Sequence, residues 1–381
     1  MRMNSWLSGL NLKLSRRRRV SRRSRHAYPV AAMVATVESL ESRTLLSAVA
    51  WTGAASTMNW NDAANWSTNN STTPGAADDV TIGNLGGATI TVSGTGVAIH
   101  SLHTSGAIDV SGTSFSFSAN SDVNAKLQID NGGTMNVSGV TINGTGQIVN
   151  ALGSTLTAQQ VTFNAAVEND GTLLFANYGD SAVNGALTTG TGSTIELQAY
   201  VSILSVTVAN GFTNHGLIDL NSAVGGSPDE TKLDVTNGTL VNAGDGTIRS
   251  EDVSGGGGNP VFSGTLDNLS ATLDNRGLLD LSGAGLTWNQ SGPSTNAGTI
   301  RVTAGGLNIN GGGLTNTGTI AVAAGRRLYI KANFTQTAGS TMLDGGAIAT
   351  ASPLQILGGV LKENGTTPAA TEMMSRSPTR A

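Results

Sequence analysis

The chain has 381 residues, including 51 glycines, 8 prolines and no cysteine, and only 12% of its residues are charged. Without cysteine it forms no disulfides and no thiolate metal sites, and without glycine at every third position it is not collagen-like. Aliphatic residues recur throughout, which argues against a disordered chain. Glycine-, asparagine- and threonine-rich sequence of this kind is typical of many short strands joined by tight turns.

The net charge of −4 combines a basic N-terminal segment with an acidic remainder. Residues 1–50 hold 10 of the 21 basic and 2 of the 25 acidic residues, which leaves a net charge of −12 on the rest. An arginine-rich run can bind nucleic acid, but Arg16–Arg25 precedes a short apolar stretch, Ala27–Val37, as the basic region of an export signal does. We therefore predict a disordered export leader over residues 1–50 and no nucleic-acid partner, since the acidic remainder repels phosphate.

The end of this leader has the features of an export and processing signal. Its apolar stretch is shorter than the roughly 18 residues that cross a bilayer, so we predict no transmembrane segment in the mature chain. Ala48-Val49-Ala50 has the small-x-small form of a signal-peptidase site, which places cleavage before Trp51. Residues 38–48, ESLESRTLLSA, resemble the LExRxLLSA motif near the N-terminus of many large exported planctomycete proteins. The resemblance implies a secreted or cell-surface location.

Three tryptophans, Trp51, Trp60 and Trp66, open the predicted mature chain. With the later acidic pair Asp78-Asp79, they resemble the WxG…NWxxxxNWS…PxxxDDVxI opening that precedes β-solenoid regions of bacterial surface proteins and autotransporter-like passengers. The open end of a coil stack exposes apolar side chains and unpaired strand edges, so we predict that residues 51–85 form a cap. An aromatic platform for sugar rings is the alternative interpretation.

An internal repeat follows, with apolar residues at period two between glycine- and asparagine-rich turns. The unit apolar-x-Asn-x-Gly-x-aliphatic returns at irregular intervals up to Asn275 and at regular intervals from there to a degenerate copy at Gln336. The regular copies give a coil of about 20–22 residues, and the longer early gaps indicate one coil plus a loop, or two coils. The positions predicted to be structural are Asn169, Asn214, Asn242, Asn275, Asn296, Asn316, Gly216, Gly277, Gly298 and Gly318.

A coil of this length predicts the fold class. We predict an all-β fold, a single-stranded parallel β-helix (β-solenoid) over residues 86–360 with an irregular tail at 361–381. We expect glycine or asparagine to accept a left-handed corner conformation and the asparagines to form a hydrogen-bonded ladder along the axis.

The repeat also predicts how its outward side chains are arranged. Residues just after each corner form a column that alternates in charge, which stabilises strand pairing unless the placement is a coincidence. This column is Asp219, Arg249, Asp280, Arg301 and Ala321.

Some segments do not fit the repeat. Pro228–Glu230 and the glycine-rich Ser254–Asn259 are predicted to be loops that leave the stack. Gly358–Leu361 begins the GGxLxGxGTI form in which related passengers continue, and Lys362-Glu363-Asn364 interrupts it. The tail therefore raises the hypothesis of a truncated or frame-shifted gene.

The sequence offers few candidates for chemistry. His100 and His103 point to opposite faces of a strand and so do not chelate one metal ion, and His215 has no evident partner. The acidic pairs Asp78-Asp79, Asp229-Glu230 and Glu251-Asp252 are interpreted as solvated turns. Asp62, Asp78 and Asp79 are weak candidates for a calcium site, because calcium needs six to eight oxygens. We predict no catalytic residue and no cofactor.

Two functions remain open at this point. The first is a non-enzymatic, adhesin-like surface protein that displays a rigid rod to cell-surface glycans, matrix or other cells through many weak contacts. The second is a polysaccharide-binding module or a carbohydrate-active β-helix enzyme, since one fold supports many activities. Convergence of three or more charged side chains in one groove would favour the enzyme.

Overall fold

The computed structural model describes residues 47–68, 72–222, 230–251 and 267–363. They belong to a compact unit spanning Thr44–Ala381. The predicted leader before residue 47, Pro228 and Asp229, Ser254–Asn259 and the tail beyond Glu363 lie outside the described residues. Within the described ranges the chain is almost entirely β, with 36 strands and one 3₁₀ turn, Ala63–Asn65.

The strands form a parallel β-solenoid of about 12 turns, which confirms the predicted fold. One coil runs from Lys126–Asp130 through Thr134–Ser138 and Thr141–Asn143, and Gln147–Asn150 then stacks on the first of these strands. Each coil therefore has three faces, called faces 1, 2 and 3 in that order. Thr155 pairs with Thr134 and Thr319 pairs with Thr299, so the observed coils have the predicted length.

The strands divide among the three faces as follows. Face 1 contains Thr89–Ser93, Ala107–Ser111, Lys126–Asp130, Gln147–Asn150, Ala166–Asn169, Leu187–Thr189, Thr213–Asn214, Ser294–Asn296, Leu314–Asn316, Phe334–Gln336 and Gln355–Ile356. Face 2 contains Val97–Ile99, Ser114–Phe117, Thr134–Ser138, Thr155–Gln159, Leu217–Ser222, Thr247–Glu251, Leu278–Leu281, Thr299–Val302, Thr319–Ala323, Ser340–Asp344 and Val360–Glu363. Face 3 contains Ser47–Ala50, Asp78–Ile82, Ser101–Thr104, Ser121–Val123, Thr141–Asn143, Thr162–Phe163, Leu286–Gln290, Gly306–Gly311, Arg327–Ile330 and Ala347–Thr350.

Four longer strands bend around a corner between two faces. Thr172–Val183 and Thr194–Val208 run from face 2 to face 3. Glu230–Asn242 and Asp267–Asn275 run from face 3 to face 1. Pairings between these strands and their neighbours are parallel, so each coil completes the backbone hydrogen bonds of the next.

Alternation along the strands builds the core. In Leu278–Leu281, for example, Leu279 and Leu281 are fully buried, and their partners in adjacent coils, such as Ile300 and Val302, are buried as well. Each strand thus places aliphatic side chains inside and leaves the residues between them outside. Burial of each Leu or Ile contributes about 1.5–3 kcal/mol to folding.

The corner glycines have a different role from the predicted one. Gly216, Gly277, Gly298 and Gly318 are absent from the glycines with positive φ, so the predicted left-handed corner conformation is wrong for them. A Cβ atom on Gly298 would instead lie 2.1 Å from the carbonyl oxygen of Gly277, and one on Gly318 would lie 2.1 Å from that of Gly298. Glycine is required here because the backbones of successive coils approach too closely for a side chain.

The folded stack extends beyond the predicted solenoid limits at both ends. Ser47–Ala50, within the predicted leader, pairs with Asp78–Ile82, and its Val49 is buried. At the other end Val360–Glu363 pairs with Ser340–Asp344, so the last described strand continues into the predicted tail. Glu230, predicted to lie in a loop, begins the strand Glu230–Asn242. Among the described residues, no helix has the length and hydropathy to cross a membrane.

Candidate binding surface

An asparagine ladder runs inside the stack at the end of face 1. Side-chain amides of successive coils hydrogen-bond at 2.9 Å from Asn214 to Asn242, then at 2.7, 2.6, 2.7 and 3.2 Å through the later coils to Gln336. All of these side chains are fully buried. The ladder is therefore an internal support for the corner and is not accessible to a ligand.

The ladder also extends towards the N-terminus, beyond the repeat that predicts it. Asn150 donates to Asn169 at 2.7 Å, although its sequence lacks glycine two positions later. Between Asn169 and Asn214 the coil carries Thr189, which donates to the carbonyl of Thr213 at 3.0 Å. This extra coil accounts for the long sequence interval between the two asparagines, since the interval covers two turns.

The predicted charge column is present on the outside of face 2. Asp219, Arg249, Asp280, Arg301 and Ala321 are direct partners in successive coils. Arg249 binds Asp219 through Nε and Nη2 at 3.0 and 2.6 Å, and Arg301 binds Asp280 in the same way at 2.8 and 2.7 Å. The hydrogen bond to the carboxylate, first among the causes, raises the pKa of each arginine. Bidentate arginine–carboxylate pairs of this kind define the register of neighbouring coils.

Glu196 extends this column and was missed in the sequence. It lies directly beside Asp219, and Arg249 makes a further contact with Glu251 at 2.8 Å. Burial and the neighbouring Asp219 carboxylate raise the pKa of Glu196. The sequence repeat did not reveal Glu196, because the coil that contains Glu196 has Thr189 at the position where the other coils have the repeat asparagine.

The histidines pair with aspartates of adjacent coils. His100 Nδ1 lies 2.7 Å from Asp79, and His103 Nδ1 lies 2.8 Å from Asp122. The two histidines thus contact different carboxylates. The hydrogen bond from His100, followed by one from Ser101, lowers the pKa of Asp79.

His215 has a partner that the sequence did not show. Its Nδ1 lies 3.0 Å from Asp245, which also accepts a hydrogen bond from Thr191 at 2.9 Å. These hydrogen bonds, with that from Thr191 the larger cause, lower the pKa of Asp245. The expectation that His215 stands alone was wrong because its partner is distant in sequence and lies in the next coil.

The calcium candidates are engaged separately. Asp62 accepts from Thr57 at 2.9 Å and caps the 3₁₀ turn, Asp78 accepts from the Gly75 amide and the Ser47 hydroxyl, and Asp79 is held by His100. In the described part of the chain, no group of three or more acidic or histidine side chains is arranged to hold a metal ion.

The tryptophans form a packed cluster at the first coil. Trp60 and Trp66 are buried, with ring centroids 4.6 Å apart, and Trp51 lies against Trp66 at 4.9 Å. Trp60 also contacts Phe115 at 5.4 Å, and Trp66 Nε1 donates to the Trp60 carbonyl at 2.8 Å. Rings that are buried against the core favour the cap over the sugar platform.

One carboxyl group lies inside the core. Asp267 is fully buried and accepts hydrogen bonds from Thr231 at 2.6 Å and Ser250 at 2.7 Å. Burial raises its pKa to about 7. This carboxyl group faces the interior of the stack, so it affects the stability of the fold and is not accessible to a ligand.

A groove runs along the outside of face 2 in the early coils, with a volume of about 300 Å³. Its lining comes from two outward positions of successive strands. The first position is occupied by Ala98, Ser116, Asn136 and Thr157. The second is occupied by Ser118, Ser138, Gln159 and Ala176. The groove exists because these side chains are small. Its lining, which also includes Ala76, Ile99, Phe117 and Val137, carries hydroxyl, amide and apolar groups but no charge.

Two exposed tyrosines stand beyond the end of the groove. Tyr178 is 50% and Tyr200 is 53% exposed, on adjacent coils at the corner between faces 2 and 3. The register shifts there, and Asn177 adopts a positive φ of 74°. The neighbouring Gly179 lies so close to Gln160 that a Cβ would meet its amide nitrogen at 2.7 Å. The corner thus presents two exposed tyrosines, the first of them two residues after the groove-lining Ala176.

Comparison with known proteins gives no relative. None of the family models, curated proteins or solved structures compared with the chain matches it.

Proposed function

We propose that this chain is a non-enzymatic extracellular protein of the cell surface, in which a stack of coils displays an extended polar surface. The observation that carries the proposal is the commitment of its charged groups to neighbouring coils. Arg249, Arg301, His100 and His215 each pair with an aspartate one coil away. Side chains used in this way stabilise the stack and its register.

The proposed partners are cell-surface glycans, matrix or other cells, bound through many weak contacts along the coils. The basic leader and the LExRxLLSA-type motif support export. A rigid stack without disulfides suits this role, because every coil supplies the hydrogen-bond partners of the next.

The first experiment is localisation of the tagged protein, combined with protease treatment of intact cells. We expect the protein in the envelope or medium, and protease-accessible. Retention in the cytoplasm contradicts the proposal. Incubation of the purified chain with a panel of polysaccharides supplies the second arm, and measurable cleavage would show an enzyme instead.

N-terminal sequencing of the exported protein tests the processing site. Cleavage before Trp51 removes Ser47–Ala50, the strand paired with Asp78–Ile82. Cleavage before Ser47 preserves this strand. The mature N-terminus therefore shows whether the first coil of the folded protein begins with this strand.

A further inference from the structure

The polar groups of the face 2 groove differ from other polar groups on the surface. Among the described residues, no hydrogen bond joins the side chains of Ser116, Asn136 or Gln159 to another protein group, whereas Asn143, Asn164 and Asn184 bond to one another across coils at 2.7 and 2.8 Å. The groove amides and hydroxyls are therefore available to a ligand. They supply both donors and acceptors.

The groove has the dimensions of an extended ligand. Its lining reaches from Ala98 to Ala176 over five successive coils, which at about 4.8 Å per coil is a length of roughly 19 Å. The lining positions recur once per coil along that length, and a linear ligand that carries hydroxyl groups meets hydroxyl or amide side chains in the three central coils.

The lining also selects against charge. The same outward column carries Glu196, Asp219 and Arg249 in later coils, but from Ala98 to Thr157 it carries only methyl, hydroxyl and amide groups, followed by Leu174. Burying a charged ligand group without a charged partner is unfavourable. The groove therefore fits a neutral ligand.

Tyr178 and Tyr200 supply the apolar component of such a site. An exposed aromatic ring is amphipathic and offers a large contact area with few rotatable bonds. Tyr178 lies two residues beyond Ala176 on the same strand and Tyr200 lies in the next coil, so the two rings offer a surface for the apolar faces of sugar rings past the end of the groove.

We propose that the groove between Ala98 and Ala176, together with Tyr178 and Tyr200, binds a neutral linear glycan. This inference rests on the proposed surface role and names its partner class. Binding aligns the glycan with the coil axis, with ring faces on the tyrosines and hydroxyls on the side chains of Asn136 and Gln159.

The test is binding of the purified chain to an array of neutral and acidic glycans, followed by titration of the best neutral oligosaccharide. The double variant Y178A/Y200A is expected to raise the dissociation constant at least about tenfold, which corresponds to a loss of about 1.4 kcal/mol or more of binding free energy. Ser138→Trp fills the groove and is expected to abolish binding. Thr315→Trp, a matched exposed position on face 1, leaves binding unchanged.

Thermal unfolding of each variant shows that it remains folded. The inference is overturned if no neutral glycan binds, if acidic glycans bind equally well, or if Ser138→Trp binds like the original chain. If the protein is found at the cell surface but fails this binding test, only the proposed glycan site is contradicted. If it is found in the cytoplasm and binds a neutral glycan in the groove, the surface role is contradicted and the glycan site stands.

Discussion

The early and late coils of face 2 have the same backbone but different outward chemistry. In the coils from Ala98 to Ala176, small side chains line a groove, and among the described residues those of Ser116, Asn136 and Gln159 make no hydrogen bond to another protein group. In the coils from Glu196 to Arg301, carboxylates and guanidinium groups bind each other across coils. Both regions bury apolar residues at the alternate positions of face 2. The difference shows that the outward positions of one scaffold can either bind neighbouring coils or carry small polar side chains that do not.

The largest expected effect concerns the buried acid of the late coils. The three buried carboxyl groups among the described residues, Asp219, Asp267 and Asp280, all lie in this region. The pKa of Asp267 is raised from 3.8 to about 7, so the folded chain retains its proton to higher pH than the unfolded chain. Its stabilising contribution is complete below the unfolded pKa and is lost as the pH rises through about 7. The loss amounts to about 4 kcal/mol at most.

Urea unfolding at about pH 4 and about pH 8 measures this effect. Asp267→Asn is expected to remove this component of the pH dependence, and the difference between the two proteins isolates Asp267 from the other acids. An unchanged pH dependence in Asp267→Asn contradicts the assignment.

A second variant breaks the interior ladder that supports the late coils. Asn296→Ala removes the acceptor for Asn275 and the donor to Asn316, which are both fully buried. Two unsatisfied buried amides are expected to cost about 2–4 kcal/mol. The free energy of unfolding measures this loss, and a loss below about 1 kcal/mol would show that the ladder is not a support.

A third variant measures how much an ion pair on the outside of face 2 contributes to stability. Arg301→Gln removes the bidentate ion pair with Asp280, whose side chain is 8% exposed. Because the arginine side chain is 48% exposed, solvent screening limits the expected loss to about 1 kcal/mol. The loss is expected to shrink at high salt, and a loss independent of salt points to packing instead of charge.

The smallest effect is expected in the groove. Asn136→Ala removes an exposed amide that makes no hydrogen bond to another protein group within the described residues, so stability is expected to change by less than about 0.5 kcal/mol. The same change in side chain costs several times more at Asn296. Equal losses of stability at Asn136 and Asn296 would contradict the distinction between side chains that stabilise the stack and side chains that are free to bind a ligand.

Much of the fold follows from the spacing of one residue type. The even spacing of Asn275, Asn296 and Asn316 predicts the coil length, and the charge column follows from the same register because each coil repeats the last. The Asp245 partner of His215 was hidden, since the sequence interval between them does not match the repeat. The corner glycines were recognised but their role was misassigned, because sequence alone does not separate a positive φ from a close backbone approach.

The groove was harder to predict than the ladder. Most of it lies in coils before the first Asn-x-Gly unit at Asn169, so the repeat does not show which of their outward residues share a column. Its shape also depends on the small side chains at the outward positions from Ala98 to Gln159. Tyr178 and Tyr200 stand out only once the corner that exposes them is known.

Engineered cysteine pairs test the stacking of coils most directly, because the chain has no cysteine of its own. Thr315 and Thr335 are direct partners in adjacent coils, whereas Thr295 and Thr335 lie two coils apart. Strand spacing of about 4.8 Å lies within the Cα separation of a disulfide, and twice that distance does not. We expect T315C/T335C to form an intramolecular disulfide under mild oxidation and T295C/T335C to remain reduced. Efficient oxidation of the second pair, or none of the first, would contradict the stacked register.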